Sequence, residues 1–371
     1  SSINYIPTFY LNMKYSTPSL DIDLNAVKHN YLTIKKICKK SEVCGTVKAS
    51  SYGLGGHNKI VEKLMKSGCK RFFVANINEG IFIRKKFKKI IINILNGVNL
   101  NEEKILYKYN LNPVINSISQ LQSWLKFIEN KKKERMVIHF DTGMCRLGIQ
   151  EKDIQKVIKL KKHLDQFKEV IIMSHLACAS NKKDPFNEIQ RKRFEKIKKQ
   201  LPGFKYSLAA SGGIYLGQKY HYDLVRPGIN LYGGSRSFNK NIRHVVSLKS
   251  PIIQINNLKK GETAGYSRTF KAQKNMITAT IPMGYADGIG IRLSNKGFVH
   301  FKGYKIPMLG RISMDLIILD ITKLKNKIKI GNFVNVYDDK FTIDDFADLT
   351  GTIPYRIITC ISKRYLRNYK N

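Results

Sequence analysis

Between residues 43 and 225 the chain alternates eight times between a short apolar run and a longer segment of helical periodicity. The runs are 43–47, 72–75, 90–95, 113–115, 137–140, 170–173, 206–209 and 222–225, most of them rich in β-branched residues. Continuous apolar runs of this length suit strands buried on both faces, as in a parallel sheet. The segments between them carry helical stripes. In 58–66, Ile60, Val61 and Leu64 share one face. Before the first run, Leu24, Val27, Tyr31 and Ile34 fall at helical spacing, with Asp23 placed to cap the N-terminus. Eight strand–helix units in succession predict a parallel barrel.

After about residue 239 the texture changes. Runs at 245–255, 276–283, 297–301, 305–309, 316–321 and 333–337 are separated by turns containing glycine or asparagine, and few helices intervene. This reads as a smaller β domain. The predicted fold class is α/β: an N-terminal (β/α)8 TIM-type barrel over residues 1–240, followed by a C-terminal mainly-β domain over 241–371.

Sixty-six Lys and Arg against 27 Asp and Glu give a formal net charge of +39. Such a charge suits a polyanion partner, and a nucleic-acid-binding protein is the alternative that it suggests. The lysines are scattered over polar helix faces, however, as at Lys35-Lys36, Lys88-Lys89 and Lys198-Lys199. They read as solvated surface, with no nucleic-acid partner. No apolar stretch reaches the roughly 18 residues that a membrane span needs. The opening Ser1-Ser2-Ile3-Asn4-Tyr5 lacks the basic-then-apolar layout of a signal peptide. Six scattered cysteines form no C-x-x-C pair and no zinc-like spacing with histidine. The expectation is a cytoplasmic protein with reduced thiols and no metal.

Barrel enzymes carry their chemistry at the carboxyl ends of the strands. Here the first strand ends at Lys48, the fifth runs into 141–148 with Arg146, and the sixth ends at Ser174-His175. The seventh ends at Ser211-Gly212-Gly213, and the eighth at Arg226-Pro227-Gly228. A lysine that closes an apolar strand is partly desolvated, which disfavours its charged form. A lysine that condenses with a carbonyl needs that property.

Eight segments, in order and across both domains, give the chain a specific likeness. They are Val47-Lys48-Ala49-x-x-Tyr52-Gly53, Asp141-Thr142-Gly143-Met144-x-Arg146-Leu147-Gly148, Ser174-His175-x-Ala177, and Val225-Arg226-Pro227-Gly228-Ile229-x-Leu231-Tyr232-Gly233. The later ones are Gly265-Tyr266-x-Arg268-Thr269-Phe270, Gly284-Tyr285-Ala286-Asp287-Gly288, Gly310-Arg311-x-x-Met314-Asp315, and Thr352-Ile353-Pro354-Tyr355. Over nearly its full length the chain resembles the alanine racemases, whose fold is a barrel followed by a β domain.

That resemblance implies pyridoxal 5'-phosphate held covalently by Lys48, and interconversion of L- and D-alanine that supplies D-alanine for peptidoglycan. Moving one proton across a carbon needs an acid–base group on each face; the implied pair is Lys48 and Tyr266. A free tyrosine, with pKa about 10, needs positive neighbours to act as a base, and His175 and Arg226 are the implied ones. Arg226 would face the pyridine nitrogen. Because it does not give up a proton readily, it would leave that nitrogen unprotonated and the ring a weaker electron sink. Tyr52, Ser211, Gly228, Ile229 and Tyr355 match the family's cofactor-binding positions, where hydroxyl and N–H groups meet phosphate. Arg146, Met314 and Asp315 would hold the substrate carboxylate, and Tyr285 would line the access route. The family also implies a homodimer in which Lys48 faces the second base of the other subunit. A racemase of serine or of broad specificity on the same scaffold is the nearest alternative. A related decarboxylase would place a carboxylate where Arg226 stands.

The chain departs from the family pattern in four places. Ser50 and Ala210 stand where asparagine is common, and Ser267 where glycine is usual. His139 stands where many members have a lysine that becomes a carbamate and orients the following arginine. Imidazole forms no such stable group, so Arg146 must be held differently.

Overall fold

The computed structural model describes residues 17–371; the sequence reading of Ser1-Ser2-Ile3-Asn4-Tyr5 lies outside these. Helix Leu24–Ile37 starts where expected. The Asp23 carboxylate accepts from Ala26 N at 2.9 Å, and Leu24, Val27, Tyr31 and Ile34 are buried. Helix His57–Lys66 likewise buries Ile60, Val61 and Leu64.

All eight expected barrel strands form. The first is split into Glu42–Val43 and Gly45–Thr46, and the rest are Arg71–Val74, Ile91–Ile94, Asn112–Ile115, Arg135–Asp141, Glu169–Met173, Lys205–Ala210 and Leu224–Arg226. Neighbours pair in parallel in chain order. The ring closes because the split first strand pairs both ways: Val43 with Val225, and Gly45 with Phe72. Cys44, Phe73, Val114, Val137, Ile171, Met173 and Leu224 fill the interior. Toward the amino ends, buried Arg71 spans Glu42 at 3.0 Å and Glu169 at 2.6 Å. That leaves the opposite mouth for the site.

The second sheet has nine strands, in the order Gln254–Leu258, Met276–Ile281, Ile317–Asp320, Tyr304–Leu309, Phe298–Phe301, Phe333–Tyr337, Val246–Pro251, Ser19–Asp23 and Leu366–Lys370. Ser19–Asp23 therefore belongs to this sheet although it precedes the barrel in sequence. It runs antiparallel to Val246–Pro251 and parallel to Leu366–Lys370. The last strand also ties the sheet to the loop after Lys48. Arg367 Nε and Tyr369 Oη donate to Leu54 O at 3.1 and 2.9 Å. Among the described residues, no helix is long and apolar enough to cross a membrane, and no group of three His, Cys, Asp or Glu is arranged to hold a metal.

Candidate active site

The first strand delivers Lys48 to the carboxyl mouth. Val47 N donates to Phe73 O at 3.0 Å, and the chain then leaves the sheet. Ala49, Ser50, Ser51 and Tyr52 all have φ between 53° and 56°. They form one turn of left-handed helix, which costs L-residues roughly 1–2 kcal/mol each. Ser51 N donates to Val47 O, Gly53 N to Ala49 O and Gly55 N to Ser50 O, at 3.1, 2.7 and 2.9 Å. The turn sets Lys48 at one end and Tyr52 at the other, both facing a cavity of about 810 Å³.

That cavity gathers Lys48, Tyr52, Arg146, His175, Ser211, Arg226, Gly228 and Tyr355, as the sequence predicts, and among the described residues no Asp or Glu lines it. Burial pushes the Lys48 ammonium below its ordinary pKa. The Arg146 and Arg226 charges push the same way, while Glu79 opposes them. Arg226 is buried. Its Nε donates to Ser207 Oγ at 3.0 Å and its Nη2 to Leu208 O and Ser174 O at 3.0 and 2.5 Å. Burial brings its pKa down to about 10, so it stays charged at neutral pH.

Opposite lies a cradle of neutral donors. Gly228 N donates to Ser211 Oγ at 2.8 Å, and Tyr355 hydrogen-bonds Ser211 through its side chain. The Tyr52 ring stacks on Tyr232 at 4.6 Å and lies 6.1 Å from Tyr355. A Cβ on Gly228 would fall 1.9 Å from Tyr52 Oη, so only glycine allows this approach. Ile229 is fully buried in the turn beyond and does not line the cavity.

Two imidazoles face the cavity uncharged. Burial, with Arg226 and Arg146 nearby, holds His175 well below its ordinary pKa. Burial therefore disfavours the positive charge that the resemblance implies for His175. His139 is pushed down to about 4 by burial and then by Arg226. Its Nδ1 lies 2.8 Å from Asn116 Oδ1, while Asn116 Nδ2 donates to Leu95 O and Val114 O, both at 3.0 Å. Since the amide nitrogen faces two carbonyls, Oδ1 must accept. His139 Nδ1 is then the protonated nitrogen, and Nε2 keeps a lone pair.

Tyr266, Tyr285, Met314 and Asp315 do not line the cavity of their own chain. They belong to the second domain, and Tyr266, Tyr285 and Met314 are 69%, 46% and 52% exposed. Their loops are nonetheless joined. Tyr285 N donates to Ser313 O at 3.0 Å, Ala286 N to Met314 O at 3.1 Å, and Gly265 packs against the Arg311 backbone. The chain thus presents the expected residues as two separate clusters.

Sequence reasoning missed the residues that hold the mouth in place. Buried Gln190 donates to Thr142 Oγ1 at 3.1 Å and His175 O at 3.0 Å, and accepts from Ala177 N at 2.8 Å. In a helix as charged as Phe186–Gln200 a glutamine reads as surface, and nothing in the sequence marks it out. Asn116 and Glu79 were missed as well. For Glu79 a local signal exists, since Asn76-x-x-Glu79 has the spacing of a helix cap.

An amine whose charged form burial disfavours, at a barrel mouth and lining one cavity with a buried guanidinium, is the arrangement of a lysine-centred barrel enzyme. Comparison with known proteins narrows that class. Residues 22–236 match the family model for the alanine racemase N-terminal domain, and 245–369 that for the C-terminal domain. The chain is 39% identical to the alanine racemase of Rickettsia canadensis and 40% to that of Rickettsia akari. Each match covers 95% of this chain and 98% of the relative. Among solved structures it is similar to the alanine racemase of Bartonella henselae, with a TM-score of 0.91 and 36% identity over 95% of this chain and 99% of that one. The Acinetobacter baumannii alanine racemase gives a TM-score of 0.86 at 29% identity over 96% and 100%. The chain belongs to the alanine racemase family, and its reaction is the isomerisation of alanine between its L and D forms.

Proposed function

We propose that this chain racemises alanine with pyridoxal 5'-phosphate held on Lys48, and that Tyr266 of the other subunit of a homodimer acts from the opposite face. The observation that carries the reading is the lining of the Lys48 cavity. An amine whose charged form burial disfavours, a buried guanidinium and a neutral hydroxyl cradle face one space. The Bartonella henselae relative is described with covalently bound pyridoxal phosphate.

The residues fit that group. Tyr52, Ser211, Tyr355 and the backbone at Gly228 and Ile229 would take the phosphate with hydroxyl and N–H donors. Gly228, which leaves room for no side chain, is the position where backbone must come close. When bound, the cofactor supplies a conjugated ring that delocalises the electron pair left by loss of the α-proton.

The chain's own groups do the rest. Lys48 Nζ holds or gives the proton on one face, and Tyr266 Oη does so on the other. Arg226, through Nη1, would face the ring nitrogen and donate to it without surrendering its proton, which keeps the ring a modest electron sink. Arg146 would pair with the substrate carboxylate, with Met314 and Asp315 beside it and Tyr285 along the access route. Neutral His175 would pack beside the ring as a hydrogen-bonding group without charge. Residues 1–240 would thus supply most of the cofactor half of the site, and 241–371 would supply Tyr355 and the second base.

Borohydride reduction in the presence of the cofactor tests the central assignment. A pyridoxyl group on the peptide that contains Lys48 is expected. Label on another lysine, with Lys48 free, would falsify it.

A further inference from the structure

The left-handed turn after Lys48 opens with an N–H that the turn itself does not use, that of Ala49. It donates to Glu79 Oε1 at 2.7 Å. The other carboxylate oxygen, Oε2, accepts from Ala75 N at 2.7 Å. Ala75 follows the second barrel strand, so one side chain joins the mouths of the first two strands, one residue from Lys48. Glu79 is itself held: it is the third residue of helix Ile77–Lys86, and its N–H donates to the Asn76 cap at 3.1 Å. A glutamate at this helix position ordinarily returns to the N–H of the capping residue. Here it reaches past Asn76 and spends both oxygens on the turn and the strand end.

The span that Glu79 fixes is the one that matters. Residues 49–52 run through four left-handed conformations with no glycine among them. Such a turn persists only where its surroundings over-determine it. Lys48 precedes it and Tyr52 ends it, and both face the cavity. If the turn relaxes, the amine and the hydroxyl lose their common frame. Among the described residues no carboxylate lines the cavity, and the charged groups that bear on Lys48 are Arg146, Arg226 and, with opposite sign, Glu79.

We propose that Glu79 is a positioning residue for Lys48: its carboxylate clamps the left-handed turn so that the Lys48 amine and the Tyr52 hydroxyl meet the same ligand. This rests on Lys48 being the amine that takes the cofactor. Placement and charge pull in opposite directions here, which makes the idea testable. Loss of the Glu79 charge alone leaves more free amine on Lys48 and speeds its reaction with an aldehyde. Loss of the clamp slows it.

The experiment uses the full chain, stripped of cofactor, with Glu79→Gln and Glu79→Asp variants. Gln keeps the length but sets an NH2 against one of the two N–H groups. Asp keeps the charge but is too short to span them. Each protein is mixed with pyridoxal 5'-phosphate, quenched with borohydride at a series of times at one pH, and digested to measure pyridoxyl on Lys48. Labelling about tenfold slower than wild type is expected in both, with kcat lowered about tenfold and KM for L-alanine changed by less than about threefold. Labelling at the wild-type rate or faster in folded Glu79→Gln overturns the proposal, because that is the response to charge alone. Should Glu79→Gln fail to fold, Glu79→Asp decides alone: slower labelling is expected, and labelling at the wild-type rate or faster overturns the proposal. Wild-type label on another lysine overturns the underlying cofactor reading, and the Glu79 assignment with it. Label on Lys48 that ignores Glu79 overturns the Glu79 assignment alone.

Discussion

At position 139 a neutral imidazole sits in a cavity that otherwise collects cations. Its Nδ1–H is committed to Asn116, so Nε2 is an acceptor beside the Arg146 and Arg226 charges. An acceptor there can take a guanidinium N–H without a carbamate. Activity is therefore expected to be unchanged when bicarbonate and carbon dioxide are removed, as read from the KM for L-alanine in degassed buffer. A marked loss that bicarbonate restores would mean that a carbamate forms elsewhere. Replacing His139 by Phe removes the acceptor, and KM should rise about tenfold with a smaller change in kcat, as when a binding group loses its alignment. The same burial has a price in acid. The folded pKa of about 4 lies below the unfolded value near 6.5, so the unfolded state binds the proton first. The stability tied to this residue is intact above the unfolded value and is lost as pH falls toward the folded one, by about 2 kcal/mol at about pH 5. Urea midpoints at about pH 7 and about pH 5 should accordingly fall further in wild type than in His139→Gln. Equal falls would contradict the assignment of a buried neutral ring. That His139 breaks the family pattern was visible in the sequence. Its partner was not, because Asn116 lies 23 residues away, just past the end of the neighbouring strand, and only the barrel brings them together.

Elements were legible where their signal is local. The eight barrel strands show as apolar runs because each is buried on both sides, and Asp23 announces its helix because a cap acts on the next three residues. Ser19–Asp23 was not recognised as a strand of the second sheet. Its pairing with Val246–Pro251 is decided by residues over 200 positions away, which no local pattern records. The turn 49–52 was invisible for the opposite reason: Ala-Ser-Ser-Tyr contains none of the glycine or asparagine that usually marks left-handed backbone. The glycine at 228 was legible only as a match to a cofactor-binding position of the family; the close approach that requires it, to Tyr52 Oη, appears in the structure. Gly228→Ala must push the Tyr52 ring away and so disturb both ends of the cradle. We expect affinity for pyridoxal 5'-phosphate to fall about tenfold or more, measured by absorbance titration of the stripped protein, with kcat at saturating cofactor less affected. Unchanged affinity would mean that the cradle does not hold the phosphate.

In the whole molecule the expected residues divide between two places. Lys48, Arg146, Ser211, Arg226 and Tyr355 line one cavity. Tyr266, Tyr285, Met314 and Asp315 stand outside it on linked loops of the second domain, with Tyr266 69% exposed. A tyrosine so exposed, outside the cavity of its own chain, needs the environment of another surface to act as a catalytic group. In the proposed homodimer, two copies related by a two-fold axis would give it one: each β-domain cluster would cover the barrel mouth of the other chain, and two equivalent sites would form at once. Lys48→Ala and Tyr266→Phe proteins should then each be nearly inactive alone. Unfolded together in equal amounts and refolded, half the dimers are mixed, and a mixed dimer has one site with both defects and one with neither. Activity should return to about a quarter of that of wild type refolded in parallel. If each chain completed its own site, every site in every dimer would carry one defect, and mixing would restore nothing. Mixed dimers can be counted by tagging one variant and retaining it on a column. Retention of the untagged chain with no recovered activity sinks the shared site, and recovery near a quarter that scales with the mixed fraction supports it.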